Sequence, residues 1–111
     1  MTGSERRGEK RVAPSFEINA FDAASEQLVG RVANLSITGM LLVGDTAIAE
    51  ESVVKLRLVS SDSNYKVIDV EVEGLWCDSQ EGGSVWSGVQ FATLNPAAIV
   101  SVAHLIAAFE S

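Results

Sequence analysis

A chain of 111 residues, 47% of them apolar, can bury one hydrophobic core, so a single domain is expected. Its formal charge of −7 argues against a nucleic-acid duplex as partner, because affinity for a polyanion rests on phosphate neutralisation by spread lysines and arginines. One cysteine, Cys77, excludes an internal disulfide and a cysteine-cluster metal site, and no run of about 18 apolar residues is present to span a membrane. The polar N-terminus has no apolar stretch of the secretory kind, so the expected location is cytoplasmic.

Residues 1–10 are polar, contain Gly3 and Gly8 and lack periodic apolar positions, which predicts a flexible arm ahead of one domain over residues 11–111. Val12, Phe16 and Ile18 then alternate with polar or small residues, the period of a half-buried strand, with Pro14 marking an edge. The stretch from Val29 to Val43 is also strand-like, but its parity slips. Leu35 and Ile37 share one phase, Met40 and Leu42 the other, so a bulge or kink is expected at Gly39. Val54, Leu56 and Leu58 alternate with Lys55 and Arg57, and a turn follows over residues 60–64. Val67 to Cys77 forms a long strand with Ile68, Val70 and Val72 inward and Asp69, Glu71 and Glu73 outward. After a turn over residues 80–83, Val85, Val89 and Phe91 mark an inward face, with Trp86, Ser87 and Gln90 outward. Asn95 then suits an N-cap and Pro96 the first turn of a helix over about 96–110. Ile99, Val102, Ala103, Leu105, Ile106 and Phe109 supply its apolar face. Short strands followed by one helix predict a mainly β fold, a small antiparallel barrel or sandwich.

Nothing in this pattern supports catalysis, and no enzyme is expected. His104 is the single histidine and falls within the predicted helix; Cys77 has no recognisable base. Asp69, Glu71 and Glu73 read as the solvated face of an antiparallel sheet. No phosphate-binding loop or nucleophile motif is present.

Binding is better supported. Arg6, Arg7, Lys10 and Arg11 hold half of the eight basic residues. With two acidic neighbours they give the first eleven positions a net +2, leaving −9 on the remainder. Such a cluster suits a compact anion, since an arginine fork can bridge phosphate oxygens or a guanine edge. Asn34 and Ser36 share strand parity, which predicts two short polar side chains on one face, and Gly39 permits close backbone approach.

Arg7-x-x-x-Arg11, followed by Asn34-x-Ser36-x-x-Gly39, resembles the RxxxR and [D/N]xSxxG signatures of the PilZ domain, a bacterial receptor for cyclic di-GMP. Gly88-Val89-Gln90-Phe91 is similar to the family's G-[IV]-x-F strand. The resemblance implies a six-stranded antiparallel β-barrel with a C-terminal α-helix. It implies cyclic di-GMP as ligand, with Arg7 and Arg11 on its phosphates and guanines, and Asn34 and Ser36 on a guanine edge beside Gly39. Family members take one ligand molecule or an intercalated pair. An arginine just before the first motif arginine goes with the pair; here that residue is Arg6. Trp76 reads as core or barrel rim, or as an additional ligand contact. No cofactor or metal is implied, and the downstream protein partner is not named by the sequence. The competing expectations are a nucleotide-independent interaction adaptor, as in PilZ-like proteins of pilus assembly, and a small oligonucleotide-binding barrel.

Overall fold

The computed structural model describes residues 11–110. The expected arm, including Arg6 and Arg7, lies outside the described residues. Six strands close into a barrel: β1 (Ile18–Asp22), β2 (Leu28–Leu35), β3 (Gly39–Gly44), β4 (Val53–Ser60), β5 (Ile68–Ser79) and β6 (Val85–Thr93). Their order around the barrel is β1-β2-β3-β6-β5-β4, with every neighbouring pair antiparallel. One helix follows, α1 (Pro96–Glu110). The mainly β barrel-plus-helix expectation is therefore met, and closure leaves no free sheet edge.

Alternation fills the interior. Leu56 and Leu58 from β4 and Ile68, Val70 and Val72 from β5 are all buried, while Asp69 points outward and pairs with Arg57 at 3.1 Å. Asn95 caps the helix as expected, its Oδ1 accepting a 2.8 Å bond from the Ala98 amide. Ala98, Val102 and Leu105 are the buried helical positions, with Ile106 and Phe109 packed partly against the core. The expected inward placement of Ile99 and Ala103 is corrected: both are exposed, because the stripe facing the barrel passes through Ala98 instead. Phe16 stacks on Tyr65 at 5.0 Å and meets Phe109 edge-on at 4.9 Å, and all three rings pack partly buried against the core.

Three further readings change. The first predicted strand begins later, at Ile18. Val12 instead makes an isolated two-bond bridge to Leu35, at 2.9 and 3.0 Å, and Pro14 supplies no amide to extend that pairing. The parity slip between Val29 and Val43 is a chain reversal at residues 36–39, with a separate irregularity between Val32 and Asn34 in the β2–β3 register. Ser87 faces inward at 1% exposure, sharing the phase of Val85 and Val89, and its Oγ accepts a 3.1 Å bond from the Ile48 amide. A satisfied hydroxyl costs little to bury.

Among the described residues no helix is long and apolar enough to cross a membrane, and no group of three or more histidine, cysteine or carboxylate side chains could hold a metal. His104 is exposed, with its ring 5.2 Å from that of Tyr65.

Candidate functional site

One residue from each half of the sequence pattern meets the other at the start of the described chain. The Val12–Leu35 bridge pins the chain against the end of β2. Beside it, Arg11 Nη1 donates a 2.8 Å hydrogen bond to Asn34 Oδ1, across 23 residues of sequence. Because a guanidinium only donates, the oxygen of the Asn34 amide must face Arg11. Arg11 is exposed and Asn34 half-buried, so both remain accessible.

Ser36 and Gly39 build the ground beneath this pair. The Ser36 amide donates to the Gly39 carbonyl at 2.8 Å, closing the reversal between β2 and β3. The Ser36 Oγ accepts from the amides of Thr38 at 3.2 Å and Gly39 at 3.3 Å, and lies 3.0 Å from Thr38 Oγ1. The expectation that Ser36 projects beside Asn34 is corrected: Ser36 has no exposed surface, and its hydroxyl is spent on the turn. Sequence parity misplaced it because β2 ends at Leu35.

Gly39 is needed for close approach, but to the neighbouring strand. A Cβ there would lie 2.1 Å from the Val89 carbonyl oxygen and 2.9 Å from the Gln90 Cα. The Phe91 amide also donates to the Thr38 carbonyl at 2.9 Å, so β6 clamps the turn from the far side. The turn presents Ile37 outward at 58% exposure.

Hydrogen-bonded register carries the outward face onward. Asn34 pairs with Leu41, Leu41 with Gly88, and Gly88 with Trp76. Barrel strands tilt by about 35–45°, so such a row climbs the wall as much as it circles it. Trp76 is not core. It is 42% exposed, and the sequence phase failed because the register shifts between Gly74 and Trp76. Its indole covers the outer side of Gly88, where a Cβ would lie 2.3 Å from the ring nitrogen. Gly88, one member of the G-[IV]-x-F segment, is therefore the bare seat on which that indole lies. Sequence reasoning singled out the segment but not this use of its glycine. The signal was a glycine at an outward strand position opposite a tryptophan.

The family model described as PilZ domain matches residues 5–108. No curated protein matches the chain by sequence. Among solved structures, the PilZ domain with c-di-GMP of YcgR from Escherichia coli is similar at a TM-score of 0.71 and 15% identity, over 95% of this chain and 92% of that one. YcgR in complex with c-di-GMP, also from Escherichia coli, gives 0.72 and 16%, over 95% of this chain and 46% of that one. The Bacillus subtilis inhibitor of motility, MotI/DgrA, gives 0.70 and 12%, over 93% of this chain and 50% of that one. At these identities the likeness concerns the fold, and the chain spans about half the length of the last two.

Proposed function

The chain belongs to the PilZ domain family, and from that premise we propose that it is a non-catalytic receptor for cyclic di-GMP. The observation that carries the reading is the Arg11–Asn34 hydrogen bond, which brings one residue of each signature to a single accessible place. Two of the similar structures, both of YcgR, are complexes with c-di-GMP, which fits the same ligand. In this reading Arg7 and Arg11 grip phosphates and guanine edges, Asn34 meets a base edge, and Ser36 and Gly39 hold the turn that keeps Asn34 in place. Arg6 favours the two-molecule mode. Trp76, flat on Gly88, offers a stacking face to a base at the far end of the row.

Magnitudes are compatible with this reading. A hydrogen bond to a charged group contributes about 1.5–3 kcal/mol, and micromolar affinity needs about 8 kcal/mol. A few such bonds reach that level after the cost of ordering the arm. Ligand binding then changes the conformation of the arm and alters the surface that a protein partner reads, in a cytoplasmic setting that suits the exposed thiol of Cys77.

Calorimetry with cyclic di-GMP tests the reading directly. The expected outcome is saturable binding with about two ligands per chain, weakened about ten- to a hundredfold by Arg11→Ala. Undiminished affinity in Arg11→Ala would remove that residue from the site. No binding heat with the unmodified protein would favour the nucleotide-independent adaptor.

A further inference from the structure

We propose that Arg31, Val43 and Trp86 form a second nucleotide-contacting surface, beside the row that starts at Asn34. Arg31 takes a phosphate and Trp86 stacks on a purine, so the surface receives the guanylate unit that the Arg11–Asn34 contact does not reach. This rests on the cyclic di-GMP reading above and deepens it.

Register sets the placement. Arg31 pairs with Val43, and Val43 pairs with Trp86. This row runs next to the Asn34–Leu41–Gly88–Trp76 row, two residues away along β3 and along β6. Two residues of strand amount to about 7 Å, and two strand steps from Arg31 to Trp86 to about 10 Å between backbones. All three side chains point outward, because Gly30, Val32, Leu42 and Ser87, their neighbours in sequence, are buried. The shared tilt that keeps the first row on one side of the barrel does the same for the second.

Two features of this row have no structural employment. Arg31 is exposed and has no ion-pair partner among the described residues, whereas Arg57, also on an outward strand position, is paired with Asp69. Trp86 is 40% exposed and makes no ring contact with another aromatic among the described residues. An unpaired guanidinium and a half-exposed indole, two strand steps apart across an aliphatic residue, match the two chemistries of a nucleotide. Charge also orients the ligand. Trp86 pairs on its other side with Asp78, so a phosphate is repelled at that end and the uncharged base is admitted there. Arg31 also lines, with Glu17, a groove of about 340 Å³, and no ion pair ties it to that carboxylate.

The test uses Trp86 as its own reporter. In a Trp76→Phe protein Trp86 is the one remaining indole; the phenyl ring keeps a stacking face, binding is expected to weaken but stay saturable, and titration with cyclic di-GMP is expected to change Trp86 emission in step with that variant's own calorimetric curve. Arg31→Gln and Trp86→Ala, made separately in the otherwise unmodified protein, are each expected to weaken binding by about tenfold or more. Both positions are on the outer wall, and thermal melts of the ligand-free variants check that the barrel is intact. Affinities within twofold of the unmodified protein in both variants, or unmoved Trp86 emission while heat records binding, overturn this surface and leave the receptor reading standing. Absence of binding by the unmodified protein overturns the receptor reading and this surface with it.

Discussion

The strand that carries Asn34 is bounded by two turns that use the same device in opposite surroundings. At its start, Asp22 Oδ1 accepts hydrogen bonds from the amides of Ala24 at 2.8 Å and Ser25 at 3.0 Å. At its end, Ser36 Oγ accepts from Thr38 and Gly39 in the same i+2, i+3 pattern. Each side chain stands in for a backbone acceptor and fixes a reversal. The first turn stands in solvent and can use a carboxylate; Glu26 even takes a φ of 64° there. The second is pressed against β6 and must be neutral and small, since a buried charge without a partner is far costlier than a satisfied hydroxyl. The contrast gives a physical reason for serine and glycine in the Asn34–Gly39 pattern that needs no ligand: they make a turn that can be buried.

Substitutions that violate burial should therefore separate the two turns most sharply. Gly39→Ala drives a methyl into the Val89 carbonyl, and backbone on both sides has to move. The expected loss is about 3 kcal/mol, the upper end for overpacking. For a domain of this size that lowers the melting temperature by about 12 °C or more, readable by circular dichroism. An alanine variant that melted within about 2 °C of the parent would show that the β3–β6 approach is slack.

Ser36→Ala comes next. It adds no bulk but takes the side-chain acceptor from the part-buried Thr38 amide and the buried Gly39 amide, for an expected loss of about 1–3 kcal/mol. Chemical denaturation should show a lower midpoint with an unchanged slope, because the surface exposed on unfolding is the same. Ligand affinity should fall only through the loosened turn. A variant as stable as the parent but unable to bind cyclic di-GMP would reverse the assignment, making Ser36 a ligand contact first.

How far the sequence exposed all this depended on whether alternation alone decided the matter. The strands Val53–Ser60 and Ile68–Ser79 were legible because leucine, isoleucine and valine alternate with charge, and burial of one face leaves a single register open. The helix was legible from Asn95 and Pro96. Ser87 was misread because a polar residue was assigned outward against the phase of its own strand, and the Ile48 amide that satisfies it comes from 39 residues away. The core alternative for Trp76 and the outward placement of Ser36 failed at irregularities: a register shift at Gly74 and the end of a strand at Leu35. A one-residue slip turns every later side chain to the other face, and nothing local announces it. At the candidate site, residue identity was legible from the two motifs. The division of labour between Asn34 and Arg11 on one side and Ser36 and Gly39 on the other was not, because it depends on where β6 lies.

The smallest expected effect belongs to the exposed turn, and pH distinguishes it from the buried one. The amides of Ser25, chiefly, and Ala24 favour the ionised form of Asp22 and hold its carboxyl below the ordinary value of 3.8, against a smaller opposing effect of desolvation. A depressed folded-state pKa means that the stabilisation is present above the unfolded value and is lost as pH falls through the folded one. Asp22→Ala should thus lower the melting temperature slightly at neutral pH. The gap from the parent should close in strongly acidic solution, where Asp22 is protonated in both states and its advantage is gone. The Ser36→Ala deficit, which involves no titrating group, should persist across the same range. Melts of the two variants and the parent at a series of pH values from neutral to acid read this directly. A Ser36→Ala deficit that also vanished on acidification would mean that the buried turn depends on a nearby carboxylate, and the distinction drawn between charged and neutral turns would fail.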